Sequence, residues 1–175
     1  MPADGVRQLY LIVIRLATED DIPWILHIEQ EAISPPWTHG ALLGEIYRDD
    51  SYFIVACQNV GTQDMGTQDR ERQERGAAPV LGFAVLRQVG DDGELLQIAV
   101  DRDARRSGVG DLLIADAIGY ADKNVFNSIF LEVRRSNEAA IGLYKKQGFK
   151  TLRIRKDYYE RPVEDALIMV KALAR

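Results

Sequence analysis

The chain has 175 residues, 46% hydrophobic and 28% charged, which fits one ordinary soluble domain and excludes a disordered chain. A formal net charge of −5 argues against direct nucleic-acid binding, since phosphate backbones select a basic face, and the lone cysteine, Cys57, excludes an intrachain disulfide. No stretch reaches the ~20 apolar residues of a membrane span, and the short apolar run at 9–14 is closed by Arg15, so no signal peptide and no membrane partner are expected and the cytoplasm is the expected location.

Residues 9–16 read as a first strand, rich in Leu, Ile and Val. Thr18, Glu19, Asp20 and Asp21 form a capping-box start. The helix that follows carries Ile22, Ile25, Leu26 and Ile28 on one side and ends at Ser34-Pro35-Pro36. Thr38 caps a second short helix through Ala41, Leu42, Ile46 and Tyr47. Residues 52–57 are a second strand, with Cys57 as a small buried hydrophobe. Residues 58–78 are polar, glycine-spotted and repeat the tetrapeptide GTQD, so a flexible insert is expected there, as a loop, a hairpin tip or a partner contact.

Strands at 79–88 and 94–100 flank the turn Gly90-Asp91-Asp92-Gly93. A helix spans 108–123, with Val109, Leu112, Leu113, Ala117, Tyr120 and Ala121 recurring at three and four. A strand at 128–134 leads to a helix at 137–147, with Asn137 as N-cap, Lys145 and Lys146 in the last turn and Gly148 just beyond. Strands at 149–156 and 166–172 complete the order β-α-α-β-β-β-α-β-α-β-β. The fold class is α/β: one domain over 1–175, with a mixed, mostly antiparallel central sheet flanked by helices.

The segment between the fourth strand and the third helix carries the strongest chemical signal. A helix N-terminus offers unpaired N–H groups and roughly half a positive charge. Gly108 and Gly110 let backbone approach an anion, and Arg105 and Arg106 add donors. That is a recipe for holding a pyrophosphate. The same six residues are also compatible with a plain glycine-rich turn and solvated arginines. A Walker A loop is absent, and the third small residue of a Rossmann loop is replaced by Leu113.

The pattern Arg105-x-x-Gly108-x-Gly110 resembles motif A of the GCN5-related N-acetyltransferases (GNAT), and the resemblance covers nearly the whole chain outside 58–78. It narrows to the RimI type, the ribosomal-protein alanine N-acetyltransferases. The supporting pieces are His27-Ile28-Glu29-Gln30 with Pro36-Trp37, then Ile98-Ala99-Val100-Asp101, then Leu131-Glu132-Val133-Arg134 with Ser136-Asn137. Leu143-Tyr144, Gly148-Phe149, Tyr158-Tyr159 and Glu164-Asp165-Ala166 follow in order.

The resemblance implies acetyl-CoA as cosubstrate. By it, Ile98, Ala99 and Val100 pair with the pantetheine arm. Arg105, Arg106, Ser107, Gly108, Val109, Gly110 and Asp111 hold the pyrophosphate, and Asn137 hydrogen-bonds near the thioester. It likewise implies Glu132 as general base and Tyr144 as acid, with Glu29, Trp37, Tyr158 and Tyr159 as walls for a peptide. Read without it, Glu132 is a surface carboxylate paired with Arg134 or a lysine, Tyr144 is a core tyrosine, and Glu29 lies on a solvated helix face. Arg153, Arg155, Lys156 and Arg161 read as ordinary surface charge. His27 and His39 lack partners at metal-ligand spacing, so no metal is expected.

Chemistry narrows the acceptor. An α-amine is roughly a tenth neutral at pH 7, whereas a lysine is neutral about once in a few thousand, a difference of about 3 kcal/mol. One water-linked carboxylate suffices for the first more clearly than for the second. The leading expectation is acetylation of a protein N-terminus, an N-terminal alanine of a small-subunit ribosomal protein. A small amine acceptor and a non-catalytic acyl-CoA-binding or partner-binding module are the alternatives. The oligomeric state is not legible.

Overall fold

The computed structural model describes residues 11–33, 35–59 and 79–173. Its aliphatic runs form one seven-stranded sheet. The strands are β1 (Leu11–Leu16), β2 (Ser51–Asn59), β3 (Val80–Val89), β4 (Asp92–Val100), β5 (Ser128–Arg134), β6 (Lys150–Glu160) and β7 (Val163–Ala172). The helices are α1 (Ile22–Ala32), α2 (His39–Ile46), α3 (Val109–Lys123) and α4 (Glu138–Lys146). The chain order is the expected one. The sheet order is β1-β2-β3-β4-β5-β7-β6, antiparallel throughout except where β4 meets β5.

Successive residues of a strand point to opposite faces. In β2, Ile54 enters the core under α3 and α4, whereas Phe53 and Val55 enter the core under α1 and α2. Both faces are covered, which is why β2 and β3 read as continuous apolar runs rather than alternating ones. The local caps form as expected. Thr38 Oγ1 accepts from Ala41 N at 3.2 Å, and Asn137 Oδ1 accepts from Ala140 N at 3.1 Å. Asp21 accepts from Thr18 N at 2.8 Å and takes a two-pronged ion pair from Arg15.

Several boundaries differ. Residues 58 and 59 extend β2, and the expected insert from 60 to 78, like residues 9 and 10 of the first strand, lies outside the described residues. The final hairpin is longer than expected, with β6 reaching Glu160 and β7 starting at Val163. Its ladder sets charged residues of β6 opposite apolar ones, such as Arg155 with Ala166 and Glu160 with Val163, and β6 is exposed along nearly its whole length. Such an edge strand is held by backbone pairing, so apolar alternation does not mark its end. Among the described residues no helix is long and apolar enough to cross a membrane.

The parting of β4 from β5 positions the site. They pair only at Gly93 with Ile129, Glu94 with Phe130 and Leu95 with Leu131. Across β3, Leu86 faces Leu95 but Val85 faces Gln97, so Leu96 is an extra residue. A bulge of this kind bends its strand and breaks the ladder. Beyond it β4 stays with β3, while Glu132, Val133 and Arg134 of β5 stay with β7. A wedge opens between them, and the start of α3 sits at its mouth. Gly82 of β3 sets that seat: a Cβ there would lie 2.7 Å from the Ala99 carbonyl, 3.1 Å from Val109 and 3.2 Å from Leu113. Gly82→Val is expected to overpack this contact and cost about 1–3 kcal/mol, read as a lower urea midpoint; an unchanged midpoint would show that α3 does not depend on the close approach.

Candidate active site

The anion-binding turn is built by local chemistry. Asp101 Oδ1 accepts from Asp103 N at 2.9 Å and starts a short 3-10 turn, Arg102–Ala104. Ser107 Oγ donates to Ala104 O at 2.5 Å, and Arg105 Nε donates to Val100 O at 3.3 Å. Arg106 and Gly108 take φ of 60° and 90°. At Gly108 that conformation favours glycine and leaves α3 with an N-cap that carries no side chain. The first N–H groups of α3 therefore receive no side-chain cap and face outward with the positive end of the helix dipole.

Next to this turn is a cleft of about 780 Å³. From β4 it takes Ile98, Ala99 and Val100, and from the turn Arg105, Arg106, Gly108, Gly110 and Asp111. Asn137, Ala139, Ala140 and Leu143 close it from the α4 side. The sequence assigned the β4, turn and Asn137 positions to the cofactor, but not Ala32, Arg102, Ala104, Ala139, Ala140 or Leu143, which also line the cleft. Two expected residues stand back. Val109 is buried in the core, and Ser107 turns its hydroxyl onto Ala104.

Asp111 has a bracing position. Its carboxylate meets Lys146 Nζ at 2.9 Å and Gln147 Nε2 at 3.1 Å, tying α3 to α4. The Lys146 ammonium holds the Asp111 carboxyl below the usual carboxylate range, so this acid at the cleft is already neutralised. Asn137 uses Oδ1 to cap α4, which leaves its amide nitrogen as the group for a ligand.

Neither Glu132 nor Tyr144 lines the cleft. Ile129, Leu131 and Val133 point into the α3/α4 core, so Glu132 stands on the opposite face of β5. Its partner is neither Arg134 nor a lysine: Arg155 Nη1 of β6 donates to Glu132 Oε1 at 2.8 Å. Arg134 instead meets Glu164 at 3.3 Å. Tyr144 is a buried core residue whose ring packs on Phe149. Burial raises its phenol above the ordinary range, with Tyr159 close enough to add to the shift.

Tyr158 and Tyr159 flank Glu132 together. Adjacent strand residues normally face opposite ways, but the β6 register slips between Arg155 and Tyr159, and Asp157 takes φ of 50°. That irregularity lets both rings share one cluster, edge to face at 5.1 Å. Arg155 stacks over Tyr158 at 4.7 Å and Arg134 over Tyr159 at 4.0 Å. A hydrogen bond to Glu132 raises the Tyr158 phenol, and burial raises that of Tyr159.

Glu29 is not on a solvated helix face. It is completely buried, accepting from Trp37 N at 2.9 Å and, with the Gln97 amide assigned the orientation that satisfies both its neighbours, from Gln97 Nε2 through its other oxygen at 2.5 Å. The Gln97 oxygen accepts in turn from Trp37 Nε1 at 2.9 Å. Glu29 therefore fixes Trp37 and the connection before α2 onto β4, and both its oxygens are committed inside the chain. Gln97 was missed by the sequence reading; a lone amide within Leu95-Leu96-Gln97-Ile98-Ala99 was its only signal.

A family model described as the acetyltransferase (GNAT) family matches residues 20–149. The chain is similar to a ribosomal protein bS18 alanine N-acetyltransferase of Escherichia coli K12, 34% identical over 85% of this chain and 89% of that protein. The Salmonella typhimurium protein of the same name is 33% identical over 89% of this chain and 94% of its own. The crystal structure of the Escherichia coli ribosomal-protein alanine N-acetyltransferase superposes with a TM-score of 0.77 at 30% identity, covering 94% of this chain and 96% of that one.

Burial pushes the Glu29 carboxyl above the usual range, against the opposing hydrogen bonds from Trp37 and Gln97. A carboxyl raised in the folded state contributes stability that is complete below its unfolded value of about 4.3 and is lost as pH rises through the folded value. The urea midpoint of the wild type is expected to fall relative to that of Glu29→Gln as pH climbs from about 4 to 7; parallel curves would contradict this.

Proposed function

The chain belongs to the acetyltransferase (GNAT) family, and on that premise we propose that it acetylates the N-terminal α-amine of a protein, an N-terminal alanine of a small-subunit ribosomal protein, using acetyl-CoA. The observation that carries the reading is the wedge between β4 and β5, with an uncapped helix N-terminus at its mouth and a carboxylate on its β5 lip. Similarity to ribosomal-protein alanine N-acetyltransferases over most of both chains supports the acceptor. The reading puts the enzyme in the cytoplasm, where such acceptors are made.

The residues present fit acetyl-CoA. The open edge of β4 at Ile98, Ala99 and Val100 has backbone groups for an amide-bearing arm. The N–H groups of Gly110 and its neighbours, with Arg105 and Arg106, suit a pyrophosphate. The Asn137 amide nitrogen is the donor for the thioester end. Acetyl-CoA supplies an activated thioester acyl group.

The chain's own task is to hold the amine and move protons. As the nitrogen bonds to the acetyl carbon and the carbon–sulfur bond breaks, nitrogen holds one proton too many and sulfur one too few. Glu132, directly or through a water, receives the first. Tyr144, kept protonated by its burial, donates to the second. The two lie on opposite faces of the sheet, and the wedge is the opening through which both can serve one reacting centre. Trp37, fixed by Glu29, and the Tyr158–Tyr159 pair would wall the peptide.

The test is acetyl transfer to a peptide beginning Ala-Arg, set against a panel of small amines. Glu132→Gln is expected to lower kcat by about 10²–10⁴-fold. Tyr144→Phe keeps the packed ring, so its loss should appear in kcat with little change in the thermal midpoint. Full rate in both variants would remove the proton-transfer assignment. Preference for the small amines would shift the acceptor, and tight acetyl-CoA binding without turnover would make the protein a binding module.

A further inference from the structure

Glu132 and Arg155 do not sit on neighbouring strands: β7 runs between them. Ile168 of β7 faces Glu132, and Ala166 faces Arg155. Directly opposed residues share a sheet face, so all four lie on one face. Ala166 has only a methyl group there, and it is completely buried. Over it the guanidinium reaches Glu132 Oε1 at 2.8 Å, its plane supported on the Tyr158 ring at 4.7 Å.

The charges around Glu132 are closed in pairs. Arg155 takes Glu132, and Arg134 takes Glu164 while stacking on Tyr159. Among the described residues, the other titratable groups on this face near Glu132 are the phenols of Tyr158 and Tyr159 and, opposite Ile168 on β6, Arg153. A bare carboxylate attracts any ammonium ion. One already bonded to a guanidinium offers little net pull, and a second cation within a few ångströms meets Arg155 as a like charge.

We propose that Arg155 is a specificity-determining residue, which makes the site select acceptors that arrive as neutral amines and turns away lysine side chains. The inference rests on the reading of Glu132 as the proton acceptor. Arg155 acts through Glu132 and is a positioning residue. Its consequence follows from amine chemistry: an α-amine is roughly a tenth neutral at pH 7 and a lysine about one in a few thousand, so a site blind to the cationic form discriminates by a few hundred-fold.

Two peptides decide it: one with a free N-terminus and no lysine, and one with a blocked N-terminus and a single lysine. Their kcat/KM values are measured with wild type, Arg155→Met and Arg155→Lys. Arg155→Met is expected to raise the lysine-to-α-amine ratio by up to about fivefold, the upper end for a partly exposed ion pair, through a lower KM for the lysine peptide. Arg155→Lys, which keeps the cation, is expected to hold the wild-type ratio, and added guanidinium is expected to pull the Arg155→Met ratio back toward it. If Arg155→Met is unstable by its thermal midpoint, Arg155→Gln takes its place. An unchanged ratio, undetectable lysine acetylation in the neutral variant, or an equal change in Arg155→Lys overturns the proposal. Glu132→Gln in the same assay separates the two readings. Its full activity would remove the base, whereas its loss of activity beside an unchanged ratio removes only the role of Arg155.

Discussion

The parting of β4 from β5 is the constraint on which the rest depends. One extra residue, Leu96, ends their ladder after three paired rows. A sheet interior normally leaves no backbone group without a partner. Here the middle of the sheet itself presents free strand edges, which suits a ligand that can hydrogen-bond like a strand. Gly82 lets α3 press close enough for its N-terminus to meet the same opening. Backbone groups for an arm and N–H groups for an anion thus arise from one bend and one missing side chain.

Charge is handled locally rather than through the total. The chain carries a formal −5, yet Asp111, Glu132 and Glu164 are each matched by a cation. Lys146 neutralises Asp111 and also braces α3 against α4. Arg155 takes Glu132, and Arg134 takes Glu164. Partly exposed pairs of this kind add little to stability. Their effect is on what the site attracts and repels.

The buried network of Glu29, Trp37 and Gln97 does a different job. A carboxylate enclosed between α1 and β4 is costly unless both oxygens are bonded, and here both are. The bonds run from helix to loop to strand. They lock the loop before α2 to the bulged part of β4, the segment from which the proposed binding edge follows.

The sequence by itself determined everything that depends on near neighbours. Thr38 and Asn137 cap the helices they precede, β5 has the expected limits, and Gly108 opens α3. Helix periodicity, capping and glycine conformation act within a few residues, so they are written in the order of the chain. Only the tertiary structure decided the partners of the charged groups. Glu132 took Arg155 from a strand beyond β7, and Glu29 took Gln97 from the strand on which its helix packs. The slip in β6 that brings Tyr158 and Tyr159 to one side, and the Leu96 bulge, are properties of strand register. Register is set between segments far apart in the chain, through hydrogen bonds every residue can make, so residue identity at those positions carries almost no trace of it.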